Sequence, residues 1–208
     1  DGRVIEWNVV NEGSIVIEPG TTLEVTGTGP VFVQRGGEID AQGGFFLNAG
    51  RFELLGGVLK GVVRVYNTVV FVGDGLTEPS TLRLVGAGNR LIANRSSQAT
   101  LWVEGAVTWG QGKLTAEPGA DNWGTIHLET TSDNSFADQS SRLDCGPQGL
   151  LNQAGGVVRA RAGAGDQRLI TGRLVNRGRV DAQNETQFTG TLEADGGTYS
   201  GEFLVHDS

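Results

Sequence analysis

A short phrase recurs along this 208-residue chain with a nearly constant layout. It consists of an apolar residue, an Asn, a Gly or another turn residue, and then alternating apolar residues. The four copies begin at Val10-Asn11, Leu47-Asn48, Leu151-Asn152 and Val175-Asn176. Such repetition constrains the fold strongly, because similar short units bury their apolar faces by stacking on one another.

A second phrase, in which an apolar residue, a polar residue, Ala and another polar residue follow each other, also repeats. It occupies residues 39–42, 114–117, 158–161, 180–183 and 192–195. Val158 and Val180, at equivalent positions, are 22 residues apart, and Thr171 and Thr189 are 18 apart. These spacings predict an all-β fold, a parallel β-helix (β-solenoid) with coils of about 18–24 residues, each holding two or three short strands.

Apolar and polar residues alternate with period two over most of the chain, as in 15–17, 31–33 and 101–103, and Gly, Pro or Asn closes each run. This pattern predicts short strands, but it is equally typical of a β-sandwich, which is the alternative fold. We predict a single domain over residues 1–208. The region around 119–149 is the least regular and is predicted to carry a long polar loop, with a domain boundary as the alternative.

Composition narrows the classes of partner. The formal charge is -8, which opposes binding to nucleic acid. The longest apolar runs, such as 69–72, are far shorter than the roughly 20 residues of a membrane-spanning helix. Cys145 is the single cysteine of the sequence, so it forms no intrachain disulfide. We predict that it is buried as a small apolar side chain.

The recurring Asn residues suggest a structural role. Asn tolerates the left-handed backbone conformation and bonds backbone groups through its amide, so it suits a corner between strands. In stacked coils, equivalent side chains lie about 4.8 Å apart. We predict a partial amide ladder along one corner, the alternative being that each residue begins an independent turn. The residues are Asn11, Asn48, Asn94, Asn152 and Asn176.

The segments 13–23, 47–52 and 174–180 resemble coils of bacterial surface β-helix proteins, of the filamentous-haemagglutinin-like adhesin and autotransporter-passenger type. The resemblance implies a right-handed parallel β-helix, located outside the cell or on its surface. It further implies use in adhesion, as a stalk or as a self-assembling filament subunit. No binding residue is carried over from the resemblance.

The sequence contains no recognisable catalytic signature. His127 and His206 lie far apart, and neither has the spacing of a zinc site. We therefore predict a non-enzymatic protein without metal or cofactor. The alternative is a carbohydrate-active β-helix enzyme, a polysaccharide lyase or glycoside hydrolase, which needs paired acids in one groove. Asp40, Asp181 and Glu193 follow equivalent apolar residues and are the acids that could share a face.

Trp102 is the best candidate for a binding residue. Leu101 and Val103 take the inward positions, which leaves Trp102 on the outer surface, where an indole can contact a glycan. Trp109 is predicted to be in the core. The expected partners are a surface glycan or protein receptor. A third functional hypothesis is an ice- or mineral-binding solenoid, which requires a flat row of Thr residues.

Both ends of the chain have the pattern of strands, at residues 3–7 and 201–205. A solenoid without caps exposes unpaired backbone groups at each end. We therefore expect either continuation in a longer solenoid or end-to-end self-association into a fibre.

Overall fold

The computed structural model describes residues 2–106, 108–131, 139–164 and 167–206. This described part contains strands and turns but no helix. The strands are β1 (Gly2–Ile5), β2 (Val9–Asn11), β3 (Ser14–Ile17), β4 (Thr22–Val25), β5 (Val31–Gln34), β6 (Glu38–Asn48), β7 (Arg51–Tyr66), β8 (Val69–Leu76), β9 (Ser80–Val85), β10 (Asn89–Asn94), β11 (Ala99–Gly105), β12 (Gly112–Ala116), β13 (Asp121–Asn122), β14 (Thr125–Thr130), β15 (Ser141–Asp144), β16 (Leu150–Asn152), β17 (Val157–Ala160), β18 (Arg168–Asn176), β19 (Arg179–Ala194) and β20 (Thr198–His206).

All strand pairings between these elements are parallel, and they wind the chain into a β-solenoid of about 10 turns. The predicted parallel β-solenoid is therefore confirmed, and the β-sandwich alternative is wrong. Parallel pairing follows from the repeat, because successive coils run in one direction and place like residues above like.

Two faces run the length of the solenoid. Face 1 stacks β1, β4, β9, β11, β14 and β17 with the ends of β6 and β7 and the starts of β19 and β20. Face 2 stacks β2, β5, β8, β10, β13 and β16 with the start of β7 and the ends of β18 and β19. Shorter strands complete the coils, namely β3 near the N-terminus and β12 and β15 in later coils.

Coil length varies along face 1. Leu47 is in register with Val65, 18 residues later, whereas Leu128 is in register with Ala160, 32 residues later. The long coil exceeds the expected length because it holds most of the segment 119–149 that the sequence marks as least regular. Strands β13, β14 and β15 nevertheless run through that segment, and residues 132–138 lie outside the described residues.

The core consists of columns of inward side chains, one per coil. On face 1, one column contains Val25, Leu47, Val65, Leu84, Val103, Leu128, Ala160 and Ala182. On face 2, the rings of Phe32 and Phe52 stack with centroids 5.5 Å apart, and Phe45 packs edge-on against both. Stacking of this kind adds to the stabilisation from apolar burial.

Cys145 lies in this core, as predicted, and burial raises the pKa of its thiol well above the ordinary range. The thiolate form needed for reaction is therefore disfavoured. Among the described residues, there is no helix with the length and apolar character required to cross a membrane.

Candidate functional site

A buried amide ladder runs along one column of face 2. Asn94, Asn122, Asn152 and Asn176 occupy equivalent positions in four successive coils. Each Asn donates its Nδ2–H to the Oδ1 of the next at 2.8 Å, and all four side chains are fully buried. At the last rung, Asn176 Nδ2 donates to the Thr198 carbonyl at 3.1 Å.

The same column begins in the first coil. Asn11 Nδ2 donates to Gln34 Oε1 at 2.8 Å, and the register then passes through Leu54 and Val72 before it reaches Asn94. Two apolar coils thus divide the ladder. The Oδ1 of Asn94, which begins the second part, is buried without a hydrogen-bond partner.

Asn48 lies elsewhere, so its predicted place in the ladder is wrong. It pairs in register with Tyr66 at the end of a face 1 strand, and Ala49 after it turns with φ of 55°. The same Asn-turn phrase therefore serves a different corner. The ladder column also contains Asn122 and Gln34, which were not predicted from the sequence. Asn122 could have been found, because Asn122-Trp123-Gly124 repeats the spacing of Asn176-Arg177-Gly178.

Local bonds tie the side chains of Asn122 and Asn176 to the Gly two residues later, where close backbone approach leaves no room for a Cβ. The Gly178 N–H donates to Asn176 Oδ1 at 3.1 Å, and Asn122 Nδ2 donates to the Gly124 carbonyl at 3.1 Å. The side chain thus ties its own turn together while it bonds the next coil. Asn residues favour this bonding pattern because a short amide reaches backbone groups two residues away.

The outer side of face 1 carries a second notable row, with one outward side chain from each coil. The row consists of Arg64, Arg83, Trp102, His127, Arg159 and Asp181. Arg161, Glu104 and Glu129 lie beside it, two positions further along their coils. We call these nine residues together with Arg179 the arginine face.

Trp102 points outward, as its flanking residues imply, but its ring is not open to stacking. The Arg83 guanidinium carbon lies 4.2 Å from the ring centroid, and that of Arg161 lies 5.6 Å from it. The indole is half-buried, and its Nε1 is buried without a hydrogen-bond partner. The stack holds the two arginines in place through cation–π contacts.

Three carboxylates converge on the arginine face. Glu104 pairs with Arg83 at 3.4 Å, Glu129 with Arg161 at 3.0 Å, and Asp181 with Arg159 at 2.9 Å. Burial raises the pKa of Asp181, but hydrogen bonds from Arg159 and Ser200 outweigh it and leave the pKa below its usual range. This carboxyl group is held ionised and is unsuited to act as a general acid.

The three acids that the sequence aligned do not share a face. Asp40 lies in β6 where it pairs with β3, Asp181 lies on face 1, and Glu193 lies on face 2, where it binds Arg173 at 2.7 Å. Their common position within the repeat phrase therefore does not give a common position in the coil. Within the described residues, no group of three or more His, Cys, Asp or Glu side chains is arranged to hold a metal ion.

His127 occupies the middle of the arginine face. Its Nε2 lies 3.5 Å from an Nη1 of Arg159. Burial, together with the positive charges of Arg159 and Arg161, lowers the pKa of His127 to about 4. The imidazole is therefore neutral near pH 7 and accepts rather than donates towards Arg159.

The His127 shift predicts a pH dependence of stability. An unfolded histidine has a pKa near about 6.5. As the pH falls from about 6.5 to about 4, the unfolded chain binds a proton that the folded protein does not, so stability decreases with falling pH. We expect His127→Gln to remove this part of the pH dependence of the urea midpoint. An imidazole NMR titration of His127 with an ordinary midpoint would contradict the prediction.

An aromatic cluster continues the arginine face towards the N-terminus. Trp109 stacks on Phe46 with ring centroids 5.5 Å apart, and its ring centroid lies 6.4 Å from that of Tyr66. Trp109 is half-buried on the outer surface, so its predicted place in the core is wrong. The turn closed by the Ala106–Gly110 bridge places its ring on the outer side of face 1.

Comparisons with known proteins give no relative. No family model, no curated protein and no solved structure matches the chain.

Proposed function

We propose that this chain is a non-enzymatic, extracellular structural element, a rigid stalk or filament unit. The observation that carries this proposal is the unbroken stack of about 10 parallel turns with its buried amide ladder. A rod of stacked coils holds its ends at a fixed separation, which is the mechanical task of a stalk. The extracellular location rests on the resemblance to coils of surface β-helix proteins.

Ion pairs between neighbouring coils support a mechanical role for the solenoid. They bind side chains from different coils across the outer surface. The pairs include Arg35–Glu12, Lys60–Glu38, Arg90–Glu117, Lys113–Asp144, Arg173–Glu193 and Arg177–Asp195. Each exposed pair contributes only about 0–1 kcal/mol, so they supplement the core columns and the ladder rather than replace them.

The two terminal coils are suited to self-association. Among the described residues, exposed large apolar side chains are concentrated there, with Trp7 79% exposed in the first coil and Val205 60% exposed in the last. Strands β1 and β20 each have one edge without a partner strand in the described structure. Open parallel edges with apolar side chains pair readily with another strand. The partner that we propose is a second copy, stacked end to end.

We expect the protein to form concentration-dependent rods whose length is a multiple of the single solenoid, visible by electron microscopy and sedimentation. Trp7→Lys places a charge at the end and should weaken association by at least about tenfold, because a buried unpaired charge is costly. Trp123→Lys is the matched control, since Trp123 is also exposed, at 42%, but lies away from the ends. Equal effects of the two variants, or monomers at every concentration, would refute end-to-end assembly.

The second candidate function is a carbohydrate-active enzyme, which is favoured by the presence of three carboxylates on one face. Each of these carboxylates, however, forms an ion pair with an arginine, which favours the structural role. A glycosidase needs one carboxylic acid with a raised pKa, and Asp181 shows the opposite shift. Release of reducing ends or unsaturated sugars from acidic polysaccharides, lost in Asp181→Asn, would establish the enzyme reading.

A further inference from the structure

We propose that the arginine face binds a linear acidic polysaccharide, and that its guanidinium groups contact the carboxylates of the polysaccharide. The arginine face is a lateral surface, so ligand binding there does not depend on whether the solenoid serves as a stalk or stacks end to end. Trp102 lies on this surface, but the guanidinium groups, rather than an exposed ring, recognise the ligand.

Charge is distributed unevenly over the molecule. The arginine face has five arginines and three carboxylates, a formal charge of +2, whereas the whole chain carries -8. The remainder of the chain therefore carries -10. A local positive surface on a strongly negative protein attracts anions to that surface alone, because the rest of the molecule repels them.

Arg64 is the cation with the least compensation. Among the described residues it has no ion-pair partner within 4.0 Å, and its Nε is buried without a hydrogen-bond partner. Burial lowers the pKa of Arg64, and the neighbouring positive charge of Arg83 adds to that effect, while Glu104 opposes it. A partly desolvated guanidinium without a carboxylate gains more from an anionic ligand than a solvated one does.

The other arginines are held in place but not saturated. Arg83 donates a hydrogen bond to Glu104 and Arg161 donates one to Glu129, and both guanidinium groups lie near the ring of Trp102. A guanidinium has five N–H donors, so each retains donors for a ligand. Because the stack restrains both side chains before binding, less side-chain entropy is lost when a carboxylate arrives.

A row of hydroxyl groups lies next to the arginines. Thr81, Thr100 and Thr125 are in register in three successive coils, two residues before Arg83, Trp102 and His127 on the same side of their strands. The rows repeat at the coil spacing of about 4.8 Å. An extended chain that carries both hydroxyl and carboxylate groups matches this combination, and an acidic polysaccharide is such a chain.

Two other ligand classes fit less well. A neutral glycan binds by stacking on an open aromatic ring, but the Arg83 and Arg161 guanidinium groups lie against the Trp102 ring. Nucleic acid has a high charge density and would be repelled by the large negative charge of the remaining surface. A polysaccharide with carboxylates spaced along the chain tolerates a face whose own charge is only +2.

The test uses the full chain and three polymers, measured by calorimetry and affinity electrophoresis at fixed salt. Polygalacturonate should bind, and fully methyl-esterified polygalacturonate, which has the same backbone without the charges, should not. Arg64→Gln should weaken binding by at least about tenfold, since a charge-assisted hydrogen bond is lost. Arg35→Gln is the control, because Arg35 follows β5 on face 2 and pairs there with Glu12.

Three results would overturn the proposal, provided that circular dichroism shows each variant folded. These are absence of binding to polygalacturonate, equal binding of the esterified polymer, and equal losses in Arg64→Gln and Arg35→Gln. Dextran sulfate distinguishes carboxylate recognition from general attraction. If it binds at least as tightly as polygalacturonate and Arg64→Gln affects neither polymer, the surface is merely electropositive. Rod length is a separate measurement, so failure here leaves the structural role to its own test.

Discussion

Asn152→Ala is expected to lower the free energy of unfolding by about 2–4 kcal/mol, because it removes buried hydrogen bonds and leaves a small cavity. Asn152 is a central rung of the ladder. Its Oδ1 accepts from Asn122, and its Nδ2 donates to Asn176 Oδ1 at 2.8 Å and to the Gly156 carbonyl at 3.2 Å. The substitution therefore leaves polar groups in two neighbouring coils with fewer partners.

Urea unfolding followed by circular dichroism measures this loss, and hydrogen exchange locates it. Asn48→Ala is the matched control. Like Asn152, Asn48 follows a Leu and precedes a turn, but it lies outside the ladder. We expect it to cost less than about 1 kcal/mol, as is usual for a half-exposed site. If the two variants are equally destabilised, the ladder contributes nothing beyond the turn that each Asn makes.

Gly61→Ala is expected to cost about 2–6 kcal/mol, through left-handed backbone strain and overpacking together. Gly61 has φ of +72° and stacks on Ala41 of the preceding coil. A Cβ at this position would overlap the Ala41 carbonyl oxygen and lie 2.6 Å from its carbonyl carbon. The coils would have to separate, because the obstruction is backbone and not a flexible side chain.

Gly20→Ala separates the two contributions to this cost. Gly20 has φ of +78°, close to that of Gly61, but a Cβ there would meet nothing within 4 Å. We expect about 1–2 kcal/mol, the cost of left-handed backbone alone. Thermal or urea unfolding of both variants gives the comparison. Equal destabilisation would mean that close approach of the coils contributes nothing at Gly61.

The fold could be predicted from the sequence because its signal is periodic. Alternating apolar residues that return after a similar interval, as from Val158 to Val180, identify equivalent positions directly, and these two residues are in register in the structure. The length of the irregular coil between Leu128 and Ala160 could not be predicted from the repeat, since insertions shift the spacing without changing the residues that face inward.

The candidate site was much harder to predict from the sequence than the fold. Arg64, Arg83 and His127 are separated by 19 and 44 residues in the chain, and none of them belongs to a repeated phrase. Their alignment depends on the length of every coil between them. The sequence placed Trp102 on the outside correctly from its two flanking residues, but not the arginines beside its ring, which come from other coils.

The inward-facing residues and the stacking of like units could be predicted from the sequence alone, because these properties depend on neighbours within a few positions. The corner that each Asn-turn phrase occupies, by contrast, depends on how the coils stack in the folded chain. Asn152 and Asn48 have similar local patterns, yet one is bonded to its equivalents above and below and the other is not. That difference depends on the number of residues in each coil, which sets the register between distant strands and is not encoded in either phrase.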